Sequence, residues 1–301
     1  MGSCFAEHIG GRLLRYKFPT LLNSHGILFN AISIAQALQD LLSEKQYVEA
    51  DLFQHGEQWH SYAHHGHFSH PDLAEALAQI NGRLNEARNF LEKTDILVLT
   101  LGTANAFSLR TSGAIVANCH KVPGTAFDRV RLLVSDIVKT LGDAIQALQN
   151  RRPELKVLLT VSPVRHIRDG LVENQRSKAT LLLAAEALQQ SFDFVYYFPS
   201  YEMVMDDLRD YRFYDQDMIH PSPMAIDYIW EQFRMAFFSE ETQQLLQRID
   251  RILSASRHRP FQPESAAHQT FQKKQLSEIA ALQTKWPTLD FNKEITIFSN
   301  K

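Results

Sequence analysis

The chain lacks the features that mark several large protein classes. Only two cysteines, Cys4 and Cys119, occur in 301 residues, which excludes a disulfide-stapled scaffold and suits a reducing compartment. No apolar run approaches the roughly 18 residues that a membrane-spanning helix needs; the run at 181–185 is typical of the longest. Neither sign of charge dominates: Lys and Arg number 31 and Asp and Glu 34, a net charge of -3. A protein that grips nucleic acid through a basic face is therefore not expected. Residues 1–8 lack the basic region and apolar stretch of a secretion signal, and Ala6 stands where a myristoylation signal needs Ser or Thr. No phosphate-cradling glycine loop occurs, so no cofactor is expected. Together these absences lead to the expectation of a cytoplasmic protein with neither a membrane nor a nucleic-acid partner.

What is present is an ordinary globular composition, 45% apolar and 22% charged, in a chain long enough for a full core. Short aliphatic runs at 95–100, 156–161 and 192–197 read as buried parallel strands. Helical spacing over 127–148, with Val130, Leu133, Val134, Ile137, Leu141, Ile145 and Leu148, and further helical segments at 181–188 and 224–237 separate them. Strands alternating with helices predict a parallel sheet covered on both faces. Hairpins are expected over 51–68, turning at His55-Gly56-Glu57, and over 106–117, turning at Thr111-Ser112-Gly113. Charged amphipathic helices at 240–257 and 264–282, split by Arg259-Pro260-Phe261-Gln262-Pro263, complete the chain.

Two motifs carry reactive groups. Gly2-Ser3-Cys4-Phe5-Ala6 precedes a helix with Phe5, Ile9, Leu13 and Leu14 on one side. A Gly-Ser pair there places a hydroxyl and backbone N–H groups at the positive end of the helix dipole, which suits a nucleophile beside an oxyanion site. The plainer reading of Ser3 is an N-cap hydroxyl. Cys4 is a rival nucleophile, since a thiol at a helix N-terminus ionises more readily. Ser3 is preferred because the residue after such a nucleophile usually points inward. Near the other end, Asp217-Met218-Ile219-His220-Pro221 leads into a helix with Ser222 as cap and Pro223 at its first position. An Asp three residues before a His presents both side chains on one side of a turn. The His can then take a proton from a nucleophile while the Asp fixes its tautomer. The plainer reading is a loop carboxylate and a histidine near a cap.

Between these motifs, Leu101-Gly102-Thr103-Ala104-Asn105 follows a strand, where ligands of open α/β sheets bind. Gly102 allows close backbone approach, Thr103 and Asn105 offer oxyanion donors, and Gly26 offers a further backbone donor. His120 and His166 are each read either as cleft residues that contact substrate or as hydrogen-bonded structural histidines. Arg165 either holds a substrate carboxylate or phosphate or makes a structural ion pair. Six histidines crowd one segment: His55, His60, His64, His65, His67 and His70. On a strand, His60 and His64 share one face while His65 and His67 share the other. A polar hairpin over the cleft is therefore expected rather than a metal site.

In chain order these blocks are Ser, Gly, Gly-Thr and Asp-x-x-His, an order that resembles the SGNH (GDSL-like) hydrolases. The chain also resembles the GSCFA-domain family, whose name is the pentapeptide Gly2 to Ala6. Gly26-Ile27-Leu28-Phe29-Asn30, Asn118-Cys119-His120-Lys121-Val122-Pro123-Gly124, Thr160-Val161-Ser162-Pro163-Val164-Arg165-His166 and Ser177-Lys178-Ala179 are similar to it as well, and the resemblance covers residues 2–237. It implies a three-layer α/β/α SGNH-hydrolase-like parallel sheet with a helical C-terminal extension. It also implies a serine esterase or acyl hydrolase that works through an acyl-enzyme on a small-molecule or glycan ester. Carried over residue by residue, Ser3 is the nucleophile, His220 the base and Asp217 its orienting partner. The backbone N–H groups of Ser3 and Gly26, with the Gly102-Thr103 turn, form the oxyanion hole, and Asn105 and His120 are further substrate contacts. The alternatives are an O-acyltransferase of the same chemistry and a non-catalytic carbohydrate- or ester-binding module. The domains expected are 1–240 and 241–301. Leu245, Leu246, Ile249, Ile252 and Leu253 of the extension dock either on the core or on a second copy of the chain. Because such a nucleophile is normally fed by a strand, an apolar strand is expected ahead of residue 1.

Overall fold

In the computed structural model, residues 1–259, 261, 262 and 264–299 are described, so Pro260 and Pro263 of the expected split lie outside the described residues. Helix α1 (Cys4–Arg15) is followed by α2 (Ala31–Leu42), whose N-cap Asn30 accepts from Ser33 N–H. A hairpin of β1 (Phe53–His55) and β2 (Gln58–His60) precedes α3 (Leu73–Leu91) and β3 (Ile96–Leu101). An antiparallel group follows, with β4 (Asn105–Leu109) between β5 (Ile115–Val116) and β6 (Phe127–Arg131). The chain continues through α4 (Val134–Arg151), β7 (Lys156–Val161), α5 (Leu171–Ser191), β8 (Val195–Tyr197) and the single turn α6 (Ser200–Glu202). Helices α7 (Pro223–Phe237), α8 (Glu240–Ser256), α9 (Ala266–Lys285) and α10 (Asn292–Ser299) come last.

The fold is mixed α/β. Strands β3, β7 and β8 form a parallel sheet in that order, with Ile96 opposite Lys156 and Leu101 opposite Val161. Val157, Leu158, Leu159 and Val161 of β7 are all buried. A strand buried at successive positions is covered on both faces, as the aliphatic runs anticipate. Ile137, Leu141, Ile145 and Leu148 of α4 and Leu181, Ala184, Ala185 and Leu188 of α5 share its core with Ile34, Ala35 and Leu38 of α2. This packing sets the C-terminal ends of β3 and β7 side by side. Ahead of Ser3, Gly2 makes one parallel bridge to Thr100 on β3.

Both expected hairpins are present at the expected turns. The helix expected over 127–148 is corrected at its start. Residues 127–131 form β6, paired antiparallel with β4, and the helix begins only at Val134. Val130 and Leu133, counted toward a buried helical face, are exposed. Two periods coincide in that stretch, and a ready antiparallel partner decides for the strand.

The chain divides into two compact units, Met1–His8 with Leu21–Ile229, and Ile9–Thr20 with Trp230–Lys301. Leu246, Ile249, Ile252 and Leu253 of the second unit are buried within the single chain. No helix among the described residues is long and apolar enough to cross a membrane.

Candidate functional site

Ser3 owes its position to the glycine before it. Gly2 has φ +128°, and a Cβ there would lie 2.2 Å from Thr100 O, so only glycine fits. Its N–H donates to Asn23 Oδ1 (3.1 Å) and its carbonyl accepts from Leu28 N–H (2.9 Å), while Ser3 N–H donates to Thr100 O (3.1 Å). Ser3 is thereby held at the start of α1, beside the C-terminal end of β3. It is fully buried, and its Oγ has no hydrogen-bond partner among the described residues. Ala6 N–H, which an N-cap hydroxyl would serve, donates to the Ser3 carbonyl oxygen instead. The hydroxyl is therefore not a cap. An unpaired buried hydroxyl costs about 1–3 kcal/mol, so its retention calls for an explanation. Burial raises the thiol pKa of neighbouring Cys4, the opposite of what an activated thiolate requires.

Asp217 and His220 are brought together. Asp217 Oδ2 accepts from His220 Nδ1 at 2.6 Å, and its Oδ1 accepts from the backbone N–H groups of Ile219 (2.8 Å) and His220 (3.0 Å). The His220 backbone bond, the ring bond and the Ile219 bond together hold the Asp217 carboxyl down to about 2, so it stays ionised. The loop is closed by a bridge between Tyr214 and Pro221 and by Asp215 N–H donating to His220 O (2.7 Å). Arg165 pins it from outside: its N–H donates to Ile219 O (3.1 Å), its guanidinium to Met218 O (3.3 Å), and the guanidinium lies over the Tyr214 ring. Arg165 thus positions the histidine loop. Ser222 Oγ caps α7 by accepting from Ala225 N–H (3.4 Å).

Gly102 is where the parts converge. A Cβ on it would lie 2.8 Å from Phe29 O and 3.2 Å from Ser3 Cβ, so its glycine identity permits the close approach. Gly102 and Thr103 both donate their N–H groups to Phe29 O (2.9 Å each). Gly26 donates its own to Asn23 O (2.9 Å). Every backbone N–H named for the oxyanion hole is therefore taken by a protein carbonyl. The Thr103 hydroxyl bonds Ser177 Oγ (2.9 Å), and the Asn105 amide is held only loosely, 3.5 Å from Asp169 Oδ2. His120 is buried: its Nε2 donates to Ser61 O (2.8 Å), its ring packs against Phe53 and His60, and burial lowers its pKa to about 4.

The residue that sequence reasoning missed is Lys178. It is 1% exposed, and its ammonium donates to Gly102 O (2.7 Å) and Ser162 O (2.6 Å), tying the ends of β3 and β7 together. Burial pulls its pKa down to about 7. A signal existed: Asn174, Ser177, Lys178 and Leu181 recur at helical spacing, and all four are buried. Asn174 Oδ1 accepts from His166 N–H (2.8 Å) and Ser177 holds Thr103, so this polar stripe of α5 organises the site. The crowded histidines are held in separate small contacts: His60 packs against His55 and His120, and the His65 and His67 rings meet at Nδ1 (3.0 Å). His64 packs on His25 and edge-on to Tyr47, and among the described residues no cluster of His, Cys, Asp or Glu is arranged to hold a metal ion.

The profile of the GSCFA family matches residues 1–233, and that of the GSCFA domain protein, C-terminal domain, matches residues 249–301. No curated protein and no solved structure matches the chain.

Proposed function

We propose that this chain, which belongs to the GSCFA family, is a serine-dependent acyl hydrolase. Ser3 attacks the carbonyl of a small-molecule or glycan ester, His220 accepts its proton, and Asp217 holds the imidazole. The reading includes the three-layer α/β/α arrangement of the SGNH hydrolases and calls on no cofactor. The observation that carries it is the Ser3 hydroxyl, buried at a helix N-terminus and without a partner. The 2.6 Å pair of Asp217 and His220 supports it from the other side. An O-acyltransferase shares every step up to the acyl-enzyme and differs only in the acceptor.

One observation favours a non-catalytic ester-binding module instead. No hydrogen bond joins Ser3 to His220, and the expected backbone donors are occupied. Bonds of this kind are often long before substrate binds, so kinetics decide. Mixed with an activated aryl ester, the wild type should give a burst of phenol equal to the enzyme concentration. Ser3→Ala and His220→Ala should lose the burst to a similar extent, because members of such a unit act together. Saturable ester binding without a burst in the wild type would favour the binding module.

A further inference from the structure

The four occupied N–H groups leave a chemical gap. An acyl oxygen that takes on charge needs a donor aimed at it in an enclosed place. Among the described residues, Ser3 Oγ and His166 Nε2 are both enclosed and unpartnered. The Gly102 backbone lies against both Ser3 Cβ and Phe29, and the His166 and Phe29 rings meet edge to face with centroids 5.5 Å apart. The histidine is anchored through its own N–H to Asn174 on α5, one turn before Lys178, whose ammonium holds the Gly102 carbonyl. Lys178 and His220 both lie within electrostatic reach of the ring. His166 thus shares Phe29 as a neighbour with Gly102, against which Ser3 packs.

We propose that His166 is a further catalytic residue of this site, donating from Nε2–H to the oxygen of the acyl group that Ser3 attacks. The proposal rests on the reading of Ser3 as nucleophile. Burial lowers the pKa of this imidazole to about 4, with smaller contributions from Lys178 and His220, so the ring is neutral near pH 7. A neutral imidazole with so low a pKa is a poor base but remains a donor, and polarising a carbonyl is a role that such rings perform. The division of labour follows. Ser3 Oγ bonds to the acyl carbon, its proton passes to His220 Nε2, and the carbonyl electron pair moves onto oxygen. His166 donates a hydrogen bond to that oxygen without giving up its proton. The pair then returns, the bond to the leaving alkoxide breaks, and His220 hands its proton to the alkoxide. His166 also restricts the ligand: the group seated between Ser3 and this ring must present an accepting oxygen, as an ester carbonyl does.

The test is the rate of Ser3 phosphonylation by a fluorophosphonate, whose phosphoryl oxygen occupies the same position, as a function of pH. Wild type, His166→Ala, His166→Gln and His166→Asn are compared, with melting temperatures as a check on folding. Removing an oxyanion donor lowers rates by about 100-fold or more, and His166→Ala should show a loss of that order. Glutamine carries an amide nitrogen close to the Nε2 position and should recover much of the rate. Asparagine places its nitrogen near Nδ1 and should not. The pH midpoint of the remaining rate should stay where it is in the wild type, since His220 is the base. If His166→Ala does not fold, the Gln and Asn pair carries the comparison. A wild-type rate in His166→Ala, equal rates in the Gln and Asn variants, or a displaced midpoint would overturn the proposal while leaving Ser3 in place. Failure of the wild type to react at Ser3 would instead remove the hydrolase reading, and this assignment with it.

Discussion

At the scale of single residues, the site is a set of polar groups held in unusual states by their neighbours. Asp217 is kept ionised by three hydrogen bonds, His166 is kept neutral by burial, and Lys178 lies in the core with two carbonyls and no carboxylate bonded to it. Lys178 gives this arrangement a signature in stability. Its folded pKa is about 7 against 10.5 in the ordinary state. Below pH 7 both the folded and the unfolded chain hold the proton, and the folded state bears the full penalty of a buried charge. Between these values the unfolded chain holds more protons, so the contribution of this group makes stability rise with pH. Urea denaturation at pH 7 and pH 9 should show the wild type gaining stability over that interval and Lys178→Met gaining less. An equal gain in both would show that the ammonium is not strained by burial.

At the scale of elements, the sequence was legible where one period dominated. The six-residue run of β7 is placed to the residue, because an aliphatic strand buried on both faces leaves an unbroken apolar signature, and β3, buried only over its second half, is displaced by one. The start of α4 was not legible, since Phe127, Val130 and Leu133 satisfy a helical spacing and also sit in a strand-forming stretch; only pairing with β4 separates the two. Among the candidate site residues, Ser3, Asp217 and His220 are singled out by short motifs, and the pairing of Asp217 with His220 follows from their three-residue spacing in a turn. For the candidate donors Gly26, Gly102 and Thr103, the direction of the N–H groups was not legible, because Phe29 and Asn23 supply carbonyls that are remote in sequence or belong to a tight turn. Lys178 was hidden by habit: a lysine in a helix is usually taken as solvated, and only the polar neighbours Asn174 and Ser177 on the same face reveal otherwise.

At the scale of the whole molecule, the two compact units meet their needs for stability differently. The first rests on a parallel sheet and its helices. The second buries Leu246, Ile249, Ile252, Ile279, Leu282 and Phe291, and it holds an ion pair in which Lys17 Nζ, lying over the Phe291 ring, donates to both oxygens of Glu294 at 2.9 Å. The side chains are only 14% and 5% exposed, so the pair is largely shielded from water. Removing one partner of such a pair leaves a buried charge uncompensated, at a cost of about 3–5 kcal/mol, while replacing both with apolar groups is often tolerated. Lys17→Met should accordingly destabilise the protein by about 3 kcal/mol in urea denaturation, and adding Glu294→Leu should restore much of the loss. A double variant no more stable than the single one would contradict this account of the pair.

The central claim is that Ser3 is a nucleophile, and covalent trapping tests it most directly. The protein is treated with a fluorophosphonate, its intact mass is measured, and the modified peptide is sequenced by mass spectrometry. The account predicts a single adduct on Ser3, absent from Ser3→Ala, strongly reduced in His220→Ala and unchanged in Cys4→Ala. An adduct on Cys4, undiminished labelling of Ser3→Ala, or no adduct on the wild type would contradict it.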